Sequence, residues 1–404
     1  MSLVAGLAGE IPRDRAMNVR LGEKVTLWAV VTLRQGGRTL TYSDAPRLRH
    51  RRRLRSGRGL RPLSELNARF RWIQIEPRPH HVAVAPPNDS NPAYSNAILF
   101  GPRHGRWLGY DTLEYQEQPI KGATRSSLVV QRTHPAHPRV NVNGGLGTMR
   151  YKVELRFARV ELGVVSSPGS ENVTPRGLSP RVTRVTFRSN DHWVGFLRGY
   201  FNVPNVFGSA GHGRRHQTDR YQGADCADVI VGALRAAGAR LPYTSARGLL
   251  SYARPVTKRL LLTKKGIFEP NHKRPVKLVF GRDVRAGDIM LIDYVGFAGS
   301  PRSWDHVAVL YHDRGERGVF DAQDPILHMG YLYGLTEEHA AGEAPAHVQI
   351  LRLKPHIRRK LERARRARKS QRSRRAKRLG IRGVSPKTKE TRDDGRGMPR
   401  NPPS

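Results

Sequence analysis

Residues 19–33 read Val-Arg-Leu-Gly-Glu-Lys-Val-Thr-Leu-Trp-Ala-Val-Val-Thr-Leu, with apolar side chains at Val25, Leu27, Ala29, Val31 and Leu33. A two-residue apolar period among β-forming residues is the pattern of a half-buried strand. It recurs at 39–42, 70–75, 82–84, 97–100, 113–115, 128–131 and 149–157, in runs too short for helices. Clusters such as Pro86-Pro87-Asn88-Asp89 and Asn143-Gly144-Gly145 separate the runs. This alternation predicts an all-β sandwich over residues 19–165. Residues 1–18 are expected to form a separate leading segment. The Ser/Pro/Gly-rich 166–180 is expected to be a linker, and the basic 45–66 a loop outside the core.

At Gly223–Gly238 the period changes. Val229, Ile230, Ala233, Leu234 and Ala237 carry helical spacing, and Gly238 stands where the helix would end. Asp225 is the expected N-cap, which puts Cys226, the only cysteine, in the first turn. Unpaired N–H groups and the helix dipole there favour a thiolate; an inert buried cysteine is the alternative. Further on, Arg285-Ala286-Gly287-Asp288 turns into a strand, Asp305–Tyr311 is a second strand with His306 at its start, and Arg317–Gln323 is a third. With Val348–Leu353 as a fourth, residues 181–355 read as α+β. A cysteine on a helix start, a histidine on a strand start and a polar residue on the next strand suit nucleophile, base and orienter. These roles fall to Cys226, His306 and Asp321, with Asp324 and His328 as alternatives in third place. Asn205 is an oxyanion-site donor in this reading. Asp225 and Trp304 are further cleft residues.

The same residues resemble the NlpC/P60 group of papain-like cysteine hydrolases. Asp225-Cys226-Ala227-Asp228 stands for the family's Asp-Cys-Ser-Gly, and Arg285-Ala286-Gly287-Asp288 for its Arg-Pro-Gly-Asp turn. His306-Val307-Ala308-Val309-Leu310-Tyr311 is similar to its His-Val-Gly-Ile-Tyr strand, and Val203–Gly208 to its Val-Pro-Tyr-Val-Trp-Gly. Asn205 replaces a Tyr, Asp228 a Gly, and Asp321 a position more usually His, Asn or Gln. The opening Arg-Leu-Gly-Glu-Lys-Val-Thr-Leu resembles bacterial immunoglobulin-like domains. The resemblance implies cleavage of an amide in peptidoglycan stem peptides through a thioester acyl-enzyme. The alternatives are an amidase or acyltransferase acting on another substrate, and a non-catalytic binder of polyanions.

A net charge of +39 supports the polyanion idea. Arg47–Arg61 holds eight Arg and no acid, and 356–404 carries a net +15. The 356–404 tail is expected to be largely disordered, above all from Gly380 on, and to attract an anionic polymer; its first part could be helical to about Leu379, with almost no apolar face. A single cysteine excludes an intramolecular disulfide. No cofactor is expected, and no metal: His212, His216 and Asp219 are irregularly spaced on a polar loop. There is no spanning apolar run. Leu3–Leu7 has no basic stretch before it and does not read as a signal peptide, which leaves the compartment open between cell envelope and cytoplasm.

Overall fold

Val25, Leu27, Ala29 and Val31 all enter one core, as their spacing predicts, and none is more than 2% exposed in this computed structural model. The structure describes residues 1–50, 53–77, 115–134, 143–158, 163–174, 177–206, 209, 217–272, 274–296, 304–330 and 334–378. The expected strands at 82–84 and 97–100 lie outside them. Val25–Gln35 pairs antiparallel with Ser2–Leu7, Arg38–Tyr42 and Ser127–Val130. A second sheet orders Met17–Arg20, Thr183–Arg188, Gly147–Phe157, Ala68–Pro77 and Tyr115–Pro119. Leu27 of the first sheet and Trp72, Val153 and Phe187 of the second share one core. Burial of the two inner faces is what holds such layers together.

Several expected boundaries move. Residues 1–18 are not a separate segment, because Ser2–Leu7 is a sheet strand and Met17–Arg20 lies parallel to Thr183–Arg188. That pairing also carries the first body on to Arg188. Residues 166–180 are not a free linker: Ser167 bonds Val153 through its backbone N–H and its hydroxyl, and Leu178 is fully buried beside Ile75. Within the basic 45–66, Arg47–His50 and Arg53–Ser56 form a hairpin. Alternation turns Leu48 inward against Val4 and Val30, while its arginine neighbours stay exposed.

The second half builds an antiparallel sheet in the order Gly266–Phe268, Leu260–Thr263, Ala346–Leu353, Ile289–Tyr294, His306–Leu310, Pro325–Gly330, Gly334–His339. Its side chains alternate between two cores. Leu291, Val307, Val309 and Leu327 pack with α1 (Trp193–Leu197) and α2 (Cys226–Ala236). Met290, Ile292, Ala308, Leu310 and Ile326 pack on the opposite face. The expected third strand at 317–323 is displaced: only Val319–Phe320 is extended, and it pairs with Leu278–Val279. The strand next to His306–Leu310 is Pro325–Gly330. A proline is tolerated there because it opens the strand.

Pro355–Arg378 is a helix, α3, as the sequence allowed, but it docks on the core, which was not expected. Ile357 is fully buried in the α2 core. Gly238 ends α2 with φ +111°, in a Schellman arrangement with Gly238 N–H on Arg235 O and Ala239 N–H on Leu234 O. Arg368 of α3 then donates to Ala237 O at 3.0 Å and Ala236 O at 2.9 Å, carbonyls that the helix end leaves short of partners. Charged hydrogen bonds of this kind contribute about 2 kcal/mol together with the dipole they face. Arg368→Ala is therefore expected to lower stability by roughly that amount in denaturant unfolding. A change under about 0.5 kcal/mol would mean that these contacts contribute little to stability. Residues 379–404 lie outside the described part. Among the described residues, no helix is long and apolar enough to cross a membrane.

Candidate active site

Asp225 caps α2 as its position predicts. Its Oδ1 accepts from Ala227 N–H at 3.1 Å and Asp228 N–H at 2.8 Å. The second carboxylate, Asp228, is buried and accepts from the Ser209 hydroxyl at 2.8 Å. Cys226 is half-buried between them. Burial and the charges of Asp225 and Asp228 push its thiol up, against the pull of the Ala227 and Val307 N–H groups. The expected thiolate is thus corrected. Burial, together with the carboxylates of the N-cap Asp225 and of Asp228, outweighs the N–H donors and favours the neutral thiol. A raised thiol pKa leaves less thiolate at any given pH. Alkylation by iodoacetamide is expected to be slower at pH 7 than for a free cysteine and to keep rising above pH 9. A fast plateau below pH 7 would contradict this.

The end of one ladder positions the thiol. Tyr311 N–H donates to Pro325 O at 3.0 Å. The antiparallel period makes Val309 with Leu327, then Val307 with Met329, the next hydrogen-bonded rungs. The register stops at Ala308 opposite His328. The Ala308–His328 pair still takes Met329 N–H on Val307 O, and Val307 N–H itself faces the Cys226 sulfur. Met329 O accepts a long bond, 3.4 Å, from Asn205 Nδ2. Asn205 is held there because Val206 N–H and Pro204 O bracket Ala224, two residues before the cysteine. Cys226 and Asn205 thus both meet the start of the His306–Leu310 strand and its neighbour.

His306 Nε2 lies 2.8 Å from His328 Nδ1, with the rings at 86°. His328 Nε2 meets Thr336 Oγ1 and Glu338 Oε1, each at 3.0 Å, and its Nδ1 lies 3.1 Å from Glu343 Oε1. The Tyr294 hydroxyl donates to the other Glu343 oxygen, and its ring stacks on His306 at 6.3 Å. Burial and the neighbouring His328 hold His306 well below the ordinary histidine range. Burial would lower His328 too, but the bond to Glu338 and the charges of Glu343 and Glu338 more than offset it, so His328 is raised. Burial raises Glu343. For Glu338 the bond to His328 outweighs burial, and it stays ionised to lower pH. An ionised Glu338 can only accept, so it fixes the proton on His328 Nε2. In the neutral His328 tautomer, Nδ1, which also lies beside Glu343 Oε1, accepts from His306 Nε2–H, and the lone pair is then on His306 Nδ1. Among the described residues no hydrogen bond joins Cys226 to His306. Catalytic contacts of this type commonly tighten only when substrate is bound.

Asp321, the expected orienter, does not occupy that place. Its carboxylate accepts from Glu316 and Gln323 N–H, both at 2.7 Å, in the loop that replaced the expected strand. Asp324 staples the same loop through Arg314 and Gly315 N–H. Of the three residues considered for third place, His328 is the one against His306. Trp304 packs on the α2 core with the Arg259 guanidinium over its ring at 5.1 Å. Asp219 is paired with Arg235 at 3.0 Å, while His212 and His216 lie outside the described residues. Glu338, Glu343, Tyr294 and Thr336 escaped sequence reasoning, since no spacing rule links a strand, a 3-10 turn and a strand end. Compared with known proteins, the chain matches no family model, no curated protein and no solved structure, so the reading of this site rests on its own geometry.

Proposed function

We propose that the chain is a cysteine hydrolase of papain-like, NlpC/P60-like type that cleaves an amide bond, with peptidoglycan stem peptides as the substrate class. The observation that carries this reading is the start of the His306–Leu310 strand, where Val307 N–H faces the Cys226 sulfur, Asn205 bonds Met329 O, and His306 lies against a second histidine. His328 in third place also removes a departure from the family pattern, which favours His, Asn or Gln there.

The reaction follows from the proton positions. His306 Nδ1 takes the thiol proton as sulfur attacks the amide carbon, and the carbonyl oxygen becomes an oxyanion. Asn205 Nδ2 and the α2 N-terminal N–H groups supply donors for it. The imidazolium returns its proton to the amide nitrogen, the C–N bond breaks, and a thioester is left on Cys226. Water then gives a proton to His306 and attacks the thioester; sulfur leaves and regains that proton. Because the resting pair is neutral, the proton moves during attack and not before it.

Incubating the protein with peptidoglycan, and separating the fragments by mass, tests the substrate class. The expected product is one new amine and one new carboxylate per cut in the stem peptide, absent with Cys226→Ala. Turnover of a small activated amide without any cut in peptidoglycan would move the reading to an amidase or acyltransferase with another substrate. Turnover of neither would favour the polyanion binder.

A further inference from the structure

We propose that His306, His328 and Glu343 also form a zinc-binding site. Their ligand atoms all lie within 4.8 Å of one another, and all three residues are at least half-buried. Two imidazole nitrogens and one carboxylate oxygen are a set that suits zinc, with one position left for water.

The surroundings are those that zinc ligands require. A ligating histidine presents one nitrogen to the metal and gives its other N–H to a carboxylate or similar acceptor. His328 does this: Nδ1 faces the cluster, while Nε2 meets Glu338 Oε1 and Thr336 Oγ1 at 3.0 Å. Glu343 offers Oε1 inward, 3.1 Å from His328 Nδ1, and its other oxygen is held by Tyr294. Tetrahedral zinc with bonds near 2.0 Å separates its ligand atoms by about 3.3 Å. The observed 2.8 Å between the histidine nitrogens and 3.1 Å to Glu343 are only slightly shorter. An outward shift of the His306 ring by roughly half an ångström makes room for the ion. His306 begins its strand and is half-buried, so its ring has the least to displace.

Binding has a chemical consequence that rests on the hydrolase reading. Zinc on His306 Nε2 leaves the ring proton on Nδ1, the nitrogen that must accept from Cys226. The bound ion therefore switches the thiol reaction off until it is removed.

The binding itself is tested without the thiol. Zinc is titrated calorimetrically into full-length Cys226→Ala, into Cys226→Ala/Glu343→Gln and into Cys226→Ala/His306→Ala, with melting curves to check folding. One zinc per chain is expected in the first, weakened roughly tenfold or more in each of the others. No zinc bound by Cys226→Ala, although the wild type binds it, would assign the ion to the sulfur and overturn the site. Unchanged affinity in the His306→Ala background would overturn it as well, and that arm stands even if Glu343→Gln fails to fold. None of these outcomes depends on whether the chain hydrolyses anything.

Discussion

Cys226→Ala and His306→Ala are each expected to lower turnover of an activated amide by about 10³-fold or more. The double variant should be no worse than either single one, because nucleophile and base act as a unit. His328 acts through His306, so its variants separate positioning from chemistry. His328→Asn keeps a side-chain oxygen that can accept from His306 Nε2–H, and it should retain more activity than His328→Ala by on the order of tenfold. Asp321→Ala should leave turnover within about twofold, since its carboxylate is spent on loop N–H groups. Loss of activity in Asp321→Ala, with full activity in both His328 variants, would reverse this assignment.

The largest expected effect on stability lies at Asp191. Its side chain is fully buried and is paired with Arg188 at 3.0 Å, Arg20 at 2.6 Å, and Arg372 of α3. One carboxylate therefore joins both strands of the parallel pair in the first body to the C-terminal helix. Burial would raise it, but the three guanidinium groups hold its carboxyl far below the usual range. Removing one partner of a buried pair leaves uncompensated charge, at about 3–5 kcal/mol. Asp191→Ala is expected to lose that much in denaturant unfolding at pH 7. The sign with pH follows from the depressed pKa. The stabilisation is complete above the ordinary carboxylate range and fades as pH falls below it. A loss under about 1 kcal/mol would mean that the cluster is not coupled to folding.

The sandwich was legible because alternation is local: Val25 to Val31 announce their strand without reference to any partner. The α2 helix was legible for the same reason, from Asp225 at one end to Gly238 at the other. Cys226 and His306 do stand at element starts, as their sequence contexts imply. For third place Asp321 was put first and His328 only among the alternatives, because the choice depended on which strand is next in the sheet. Val319–Phe320 carries a good strand signal, yet it pairs elsewhere, and Pro325 disguised the true neighbour. The docking of α3 was hidden by composition. Its docking uses Ile357 and arginines that bond carbonyls and Asp191, and no apolar stripe records those contacts. The thiolate expectation weighed the unpaired N–H groups and the helix dipole, while burial, Asp225 and Asp228 push the thiol the other way.

The most direct test is the intact mass of the protein after brief exposure to an activated acyl ester. One acyl group per chain is expected, mapped to Cys226, forming far more slowly in His306→Ala and chasing off as hydrolysis proceeds. No covalent adduct on Cys226 under conditions of turnover, or an adduct formed equally fast without His306, would contradict it.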